Sequence, residues 1–385
     1  MEFRDWFCLR DRESFTIDPK INPHDARFYF GRAQLDARMK SQIKRAFIDP
    51  QVPKMMVWGP YGCGKTQTLY YLAHWMDHET PASCKGKPHA VHLEIEVRSK
   101  STAAEWHLQN MEALGMNAVQ GWLRELYSKS DDFDVALGRL TADPNIVQVF
   151  NHLRGGGDLG FGAWRWITGQ NLTAKDLQEI KVTRNLGSVG VGDLVAAVQA
   201  CGALAAAVGR RLVFFVDEME ELQNVRTGDA AESWHQYIRK LADNANFTVG
   251  FVIGFKADTR DDAPEVLVRG DVFSRVSPNN YIELETLAAP ANVQQFAREM
   301  LSHLVNQEEA ERRIQADTLP STRETYPFTA TAFDLMCDYA CQDVIKSTPR
   351  NIIRTINECA IAAWDSEKKV IDDDIVNAIA PIIFG

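Results

Sequence analysis

Residues 59–66, with the sequence Gly-Pro-Tyr-Gly-Cys-Gly-Lys-Thr, satisfy the phosphate-loop pattern G-x-x-x-x-G-K-[ST]. The apolar run at 55–58 before them predicts a strand, and apolar residues at helical spacing after them predict a helix. In such a loop the glycines let backbone N–H groups turn around phosphate oxygens, and the positive end of the helix adds to the attraction. We therefore expect Lys65 to reach the β- and γ-phosphates of a nucleotide and Thr66 to bind Mg²⁺. The predicted nucleotide-binding residues of the loop are Gly59, Pro60, Tyr61, Gly62, Cys63, Gly64, Lys65, Thr66 and Gln67.

An acidic pair follows a second predicted strand. Residues 212–216 form a continuous apolar run, typical of a central parallel strand buried on both faces, and the run ends at Asp217 and Glu218. Sheets of α/β proteins bind ligands beyond the carboxyl ends of their strands. We predict that Asp217 holds Mg²⁺ and that Glu218 is the general base that polarises the attacking water. The alternative is that Glu218, Glu220 and Glu221 simply begin a surface helix.

Two further apolar runs, at 89–97 and 247–255, predict neighbouring strands. The second run ends at a polar segment from which a side chain can reach a γ-phosphate. Lys256, Asp258 and Thr259 are all candidates, and the sequence does not choose between them. Strands that alternate with helical segments predict a three-layer α/β fold.

The segment between Lys65 and Asp217 is longer than the sheet needs, because two βα units take only about 60–80 residues. The surplus falls between about residues 101 and 193 and forms an insert. Apolar spacing predicts that this insert is mostly helical, and the glycine-rich run at 155–162 offers places to bend. That run contains G-x-G-x-x-G, but no strand precedes it, so it does not indicate a dinucleotide site. We predict that the insert binds a partner through Trp164 and Trp166, since aromatic anchors dominate interfaces. The alternative is that both tryptophans lie in the core of the insert.

Beyond Leu287, apolar spacing predicts only helices, at residues 290–304, 330–344, 349–364 and 372–379. Thr348 can cap the third of these helices, and Pro349 suits its first turn. Arg350 then projects from that turn. Alone it would be a surface arginine, but in an ATPase with a helical lid it is a candidate to touch the nucleotide phosphates.

The 385-residue chain is 45% hydrophobic, has a net charge of −10 and contains seven scattered cysteines. The negative charge argues against a surface that coats nucleic acid on all sides, and we expect basic clusters such as residues 38–45 to be solvated helix faces. Residues 1–15 lack the apolar region of a signal peptide, and no stretch is long and apolar enough to span a membrane. The cysteine spacing fits neither a zinc site nor a disulfide framework. We therefore expect a soluble, cytoplasmic protein with no membrane partner.

Together these motifs resemble those of the AAA+ ATPases. Within that superfamily they are similar to the branch that contains the origin-recognition ATPases and the related bacterial ATPases of phage-defence (BREX-type) and transposition systems. Residues 59–66 resemble Walker A, and residues 216–218 resemble Walker B. Residues 30–32 resemble the motif where the adenine pocket usually forms. Residues 268–275 resemble a stretch that ends in an arginine finger, and residues 348–350 resemble sensor 2. The Trp-Ile-Thr-Gly of the insert and the Val-Asp-Glu-Met-Glu at 216–220 are most similar to the BREX-type ATPases.

The resemblance covers most of the chain and implies an α/β fold with an AAA+ three-layer parallel-sheet ATPase core. The implied domains are an N-terminal extension at 1–29, the core at 30–288 with its helical insert, and an all-helical lid at 289–385. It also implies ATP and Mg²⁺ as cofactors, Arg350 as a nucleotide contact, and Arg275 as the arginine finger for the ATP of a neighbouring copy. Arg269 is the alternative finger. The sequence departs from the family in that sensor 1 is not plainly present, and we expect no winged-helix domain after the lid.

The expected function is that of an ATPase that assembles into a homo-oligomer and drives or regulates a nucleic-acid-linked complex. Anti-phage defence is one such setting, with DNA and an effector protein as partners. The alternative is a slow ATP-dependent switch or scaffold that recruits an effector protein. Stimulation of hydrolysis by duplex DNA would favour the first function, and stimulation only by a protein partner would favour the second.

Overall fold

The structure is a computed structural model that describes residues 2–48, 52–79, 86–225, 228–243 and 248–385. The chain divides into two compact units. The first, here the loop unit, contains the chain up to Arg38, the segment Gly59–Tyr71 and the chain from Leu284 onward. The second, here the sheet unit, contains Met39–Trp58 and Leu72–Glu283. Within the described ranges, no helix is both long and apolar enough to cross a membrane.

A five-stranded parallel sheet organises the sheet unit. Its strands are β1 (Lys54–Gly59), β2 (Lys87–Glu94), β3 (Arg210–Asp217), β4 (Val249–Lys256) and β5 (Tyr281–Glu283). They lie in the order β2-β3-β4-β1-β5, and β2 pairs with β3 from Lys87 opposite Arg210 to Glu94 opposite Asp217. The α/β architecture and four strands expected from apolar runs are thus confirmed, although residue 247 of the fourth run lies outside the described residues. The three-residue β5 was not expected.

Helices make up most of the remaining described chain. The first nine are α1 (Phe3–Trp6), α2 (Ala33–Ile48), α3 (Lys65–Glu79), α4 (Ala103–Leu114), α5 (Met116–Lys129), α6 (Phe133–Leu140), α7 (Pro144–Gly155), α8 (Gly157–Ile167) and α9 (Ala174–Glu179). The others are α10 (Val191–Ala207), α11 (Gly228–Ala242), α12 (Glu265–Val268), α13 (Gly270–Val276), α14 (Pro290–Leu304), α15 (Gln307–Asp317), α16 (Ala330–Gln342), α17 (Pro349–Asp365) and α18 (Asp373–Phe384). Helices α4 to α10 lie between β2 and β3, which confirms that the insert is mostly helical.

The core of the sheet unit forms around β3, whose residues 212–217 are all buried. Helix α10, rich in alanine and other small residues, packs closely on this sheet. A Cβ added to Gly202 of α10 would lie only 2.4 Å from the carbonyl oxygen of Thr248. The absence of a side chain at this position therefore sets how near the helix approaches the strands.

The two tryptophans of the insert are buried. Trp164 is 9% exposed and Trp166 is 1% exposed, and the indole Nε1 of Trp166 donates to the carbonyl oxygen of Arg184 at 2.7 Å. The prediction that these two tryptophans anchor a partner is therefore wrong, and the alternative of a core position is correct. Leu159 and Phe161, nearer the start of α8, are exposed instead.

Substituting Trp166 with alanine should lower the free energy of unfolding by about 3–5 kcal/mol, the usual cost of emptying a buried tryptophan site. Urea unfolding followed by tryptophan fluorescence measures this change. Phe161→Ala on the same helix is the matched control, because Phe161 is 59% exposed. Its effect should stay within about 0.5 kcal/mol. Equal destabilisation by the two substitutions would contradict the core position of Trp166.

A buried histidine links the insert to α11. The ring of His107 on α4 lies 2.8 Å from the carbonyl oxygen of Ile167 on α8 and 3.3 Å from the hydroxyl of Tyr237 on α11. Burial lowers the pKa of His107 to about 4, and the hydrogen bond to Ile167 only partly opposes this effect. The imidazole is therefore neutral at pH 7 and joins three helices through hydrogen bonds rather than through charge.

The loop unit has its own core, formed by the C-terminal helices and the N-terminal segment. Phe7 and Phe15 are fully buried in it, and the backbone N–H of Arg10 donates to the carbonyl oxygen of Leu304 at 2.8 Å. The four C-terminal helices expected from apolar spacing are present as α14, α16, α17 and α18. Helix α15 was not expected, because charged and polar residues make up most of it.

Candidate active site

The phosphate loop has the strand–loop–helix setting that its sequence predicts, since β1 leads into it and α3 begins at Lys65. Gly62 and Gly64 have φ angles of +82° and +90°, a conformation that residues with a Cβ rarely adopt. A Cβ at Gly62 would also lie 2.9 Å from Thr348 Oγ1. Both the backbone conformation and this close approach therefore require glycine in the loop.

Cationic side chains of the loop unit engage the carbonyl oxygens of the phosphate loop. Lys65 Nζ donates to the carbonyl oxygens of Gly59 and Pro60 at 2.9 and 3.0 Å. Arg32 Nη1 donates to the carbonyl oxygen of Cys63 at 3.0 Å. In this structure the Lys65 ammonium is thus bonded to the loop's own backbone. Backbone N–H groups of a glycine-rich loop at the start of a helix, together with a lysine, are the types of donor that bind nucleotide phosphates.

Arg350 lies beside this loop. Thr348 Oγ1 accepts a hydrogen bond from the backbone N–H of Asn351 at 3.3 Å, which confirms the predicted cap of α17. The backbone N–H of Arg350 donates to the carbonyl oxygen of Gly62 at 3.3 Å. Its guanidinium Nη1 donates to the hydroxyl of Tyr61, and its Cζ lies 4.8 Å from the centroid of the Tyr61 ring. The first turn of α17 thus contacts the phosphate loop through both backbone and side chain.

Two other loop residues open α3. Thr66 lies in the first turn and is half-buried. The side-chain amide of Gln67 donates to the carbonyl oxygens of Asp25 and Phe28, both at 2.7 Å. Asp25 also forms a buried ion pair with Arg12 at 2.5 Å. The Gln67 side chain therefore holds the N-terminal segment that leads into the motif at residues 30–32.

The acidic pair lies at the carboxyl end of β3 in the sheet unit. Asp217 is 2% exposed, and its Oδ1 accepts a hydrogen bond from the backbone N–H of Glu218 at 3.0 Å. Glu218 has a φ angle of +63°, a left-handed conformation that costs an L-residue roughly 1–2 kcal/mol. Met219–Asn224 form a short 3₁₀ turn, so no α-helix begins at Glu218. Backbone strain at a polar residue of this kind is typical of functional sites.

The residues after β4 follow the same edge of the sheet, because β4 lies between β3 and β1. The backbone N–H of Lys256 donates to Glu220 Oε2 at 2.9 Å. Thr259 donates from its backbone N–H and its hydroxyl to Asp262 Oδ2, at 3.0 and 2.8 Å. Of the three candidates for a γ-phosphate contact, Thr259 is thus engaged in a local cap. Lys256 and Asp258 are exposed at this edge.

Both candidate arginine fingers form ion pairs within the sheet unit. Arg275 on α13 lies 2.8 Å from Asp243 Oδ1 through its Nε, and its Nη1 donates to the carbonyl oxygen of Asp271 at 2.7 Å. Arg269 lies 3.4 Å from Glu232 Oε2 and 3.8 Å from Asp271 Oδ1. The Arg275 side chain is 29% exposed and its partner Asp243 is 56% exposed, so solvent reaches this pair.

The sequence did not reveal two features of these regions. One is the bond from Arg32 to Cys63, although Arg32 belongs to a motif that the sequence singled out. The other is the ion pair between Asp243 and Arg275. Each joins residues about thirty positions apart, and only the folded chain brings such pairs together.

No protein-family model matches the chain, and no curated protein matches it in sequence. Among solved structures, it is similar to the ORC2 protein of Aeropyrum pernix in ADPNP–ADP complexes, with 12% identity over 97% of this chain and 72% of that chain and a TM-score of 0.54. Weaker likenesses include the ORC1 protein of Aeropyrum pernix in complex with DNA, with 11% identity, 95% and 69% coverage and a TM-score of 0.44. Domain III of the Thermotoga maritima replication initiation protein DnaA gives 8% identity, 96% and 99% coverage and a TM-score of 0.40. The likeness to the ORC2 structure shows the fold, and the expected α/β architecture with a parallel sheet is confirmed.

Proposed function

We propose that this protein binds ATP with Mg²⁺ and hydrolyses it. The phosphate loop is the observation that carries this proposal. Residues 59–66 follow a parallel strand and lead into a helix, and the chain's own cations engage their carbonyl oxygens. Asp217 and Glu218 add support, because they end β3 at the edge where parallel sheets bind ligands.

In this proposal each group has a distinct role. The backbone N–H groups of residues 59–66 and the Lys65 ammonium bind the phosphates, and Arg350 contacts the γ-phosphate. Thr66 and Asp217 hold Mg²⁺, which when bound neutralises charge on the phosphate oxygens. Glu218 takes the proton of the attacking water as general base.

We further propose that several copies of the chain assemble and that Arg275 acts on the nucleotide of a neighbouring copy, with Arg269 as the alternative. The support is the place of Arg275 at the end of the finger-like stretch 268–275 and its partly exposed position on α13. We place the assembly in the cytoplasm, in a DNA-linked complex such as an anti-phage defence system. That setting rests on the motif resemblance alone, and the ORC1 structure with DNA makes duplex DNA the first partner to test.

The second candidate function is a slow nucleotide switch that recruits an effector protein. The observation in its favour is that the Thr259 hydroxyl donates a hydrogen bond to Asp262. Thr259 is the neutral residue among the three candidates for a γ-phosphate contact, and its hydroxyl already has this partner. Steady-state hydrolysis with and without duplex DNA separates the two functions. Stimulation by DNA supports the DNA-linked ATPase, whereas a slow rate that only a protein partner raises supports the switch.

The substitution Lys65→Ala should weaken ATP binding by at least about 100-fold, because a hydrogen bond to a charged group contributes roughly 1.5–3 kcal/mol and an ammonium that reaches both the β- and γ-phosphates would make more than one. Isothermal titration calorimetry measures the affinity directly. Lys175→Ala is the matched control, since the Nζ of Lys175 reaches only Glu179 at 3.8 Å in an exposed pair. If the wild-type chain binds no ATP, or if the two variants bind it equally, the proposal is refuted.

A further inference from the structure

Tyr61 is a largely exposed aromatic residue within the phosphate loop, with 64% of its surface accessible. Its hydroxyl accepts a hydrogen bond from Arg350 Nη1, and the Arg350 Cζ lies 4.8 Å from its ring centroid. An arginine beside an aromatic face gains from both the cation–π attraction and the hydrogen bond. The charged group that would meet a γ-phosphate is therefore engaged by a side chain of the loop itself.

The backbone that carries Arg350 is held independently of this contact. The Arg350 N–H donates to the carbonyl oxygen of Gly62 at 3.3 Å, and the Ser347 carbonyl oxygen accepts from the Leu287 N–H at 2.7 Å. The Ser347 hydroxyl donates back to the carbonyl oxygen of Leu287 at 2.9 Å. A change of partner for the guanidinium thus requires only side-chain rotation, because these bonds fix the start of α17 at the loop.

We propose that Tyr61 is a positioning residue that holds Arg350 in a resting place and so sets how strongly the site prefers a nucleoside triphosphate over a diphosphate. This inference rests on the proposed function. The Arg350 guanidinium can contact the γ-phosphate of a triphosphate only after its contact with Tyr61 breaks. The free energy of that contact therefore reduces the binding free energy of the triphosphate. A diphosphate has no γ-phosphate and leaves the pair intact. Tyr61 therefore lowers the selectivity for triphosphate in proportion to the strength of the pair.

The test measures the dissociation constants of ADP and of the non-hydrolysable triphosphate ADPNP, in the presence of Mg²⁺, by isothermal titration calorimetry. The ratio of the ADP constant to the ADPNP constant is the readout, so no hydrolysis is needed. Tyr61→Ala should raise this ratio about fivefold, the size expected for an exposed cation–π contact with a hydrogen bond. Tyr61→Phe removes only the hydroxyl and its hydrogen bond, and it should raise the ratio about twofold to threefold.

Two controls make the result specific. In the Arg350→Ala background, Tyr61→Ala should leave the ratio unchanged, because the resting contact is already absent. Tyr127→Ala removes a similar exposed pair in the insert, where Arg154 Cζ lies 4.2 Å from the Tyr127 ring centroid, and it should not change the ratio either.

Several results would overturn the inference. An unchanged or lowered ratio in Tyr61→Ala means that Tyr61 does not restrain Arg350 against the triphosphate. An equal rise in the Arg350→Ala background means that Tyr61 acts through another group. Both results leave the proposed function intact, because the wild-type chain then still binds nucleotide. If the wild-type chain binds neither ADP nor ADPNP, the proposed function fails and this inference fails with it.

Discussion

Replacing Glu218 with glutamine should slow ATP hydrolysis by about 10²–10⁴-fold while ATP stays bound, because a general base contributes that much to the rate and little to affinity. The bond between the Glu218 N–H and Asp217 Oδ1, at 3.0 Å, helps to hold the backbone at a φ angle of +63°. Glutamine has the same length and leaves this backbone bond in place. Acid quenching of ATP-loaded protein, followed by chromatography of ATP and ADP, measures retention and turnover together.

Glu221→Gln is the matched control for this prediction. The Glu221 Oε2 accepts a hydrogen bond from Asn224 Nδ2 at 2.7 Å, within the 3₁₀ turn that follows Glu218. Its loss should leave the hydrolysis rate unchanged. A wild-type rate in Glu218→Gln, or an equal loss of rate in Glu221→Gln, would show that the catalytic role belongs to another residue.

The phosphate loop and most of the sheet could be predicted from sequence because their chemistry is local. A glycine pattern between an apolar run and a helical pattern specifies a strand, a loop and a helix within about twenty residues. The continuous apolar run of β3 likewise reports a strand buried on both faces. The strand β5 escaped prediction because three residues are too few to show a period.

The insert shows where local patterns stop being informative. We predicted that Trp164 and Trp166 of α8 anchor a partner, with a core position as the alternative. Both are buried, and Phe161 on the same helix is exposed. Aromatic type alone does not say which residues of a helix pack against its neighbours. That choice depends on tertiary packing against the rest of the insert, as in the bond from Trp166 to Arg184.

Contacts between residues far apart in the sequence could not be predicted either. Sequence placed both Tyr61 and Arg350 at the nucleotide phosphates, but it did not indicate that the two side chains contact each other. The same is true of Arg275 and Asp243. Such pairs form because the fold closes long loops, and a single sequence carries no sign of which distant residues become neighbours.

Replacing Arg275 with alanine should reduce hydrolysis by roughly 10³–10⁵-fold, the contribution of an arginine finger that neutralises charge on the transferring phosphoryl group. ATP affinity should change little, because the finger acts on the nucleotide of another copy. The fold should survive, since the pair that Arg275 forms with Asp243 is partly exposed and such pairs contribute about 1 kcal/mol or less. Steady-state hydrolysis, calorimetric ATP titration and thermal unfolding together measure the three effects.

Asp243→Asn separates the finger from its ion pair. It removes the partner that holds Arg275 Nε at 2.8 Å but leaves the guanidinium in place, so hydrolysis should persist. Because an arginine in an ion pair must leave it to reach another copy, the rate per chain in Asp243→Asn should match or exceed that of the wild type. Loss of hydrolysis in both variants would mean that the ion pair, rather than the finger, is what turnover needs.

Mixing Arg275→Ala with Lys65→Ala protein tests whether the finger acts between copies. Each variant alone is inactive, but a mixed assembly contains interfaces at which an intact Lys65 meets an intact Arg275, and these should restore part of the activity. The same mixture made with Arg269→Ala in place of Arg275→Ala decides between the two candidate fingers. If Arg275→Ala is never rescued while Arg269→Ala loses activity and is rescued, then Arg269 is the finger. If neither is rescued and the wild-type chain stays monomeric at every ATP concentration, no residue of this chain acts on the nucleotide of a neighbour.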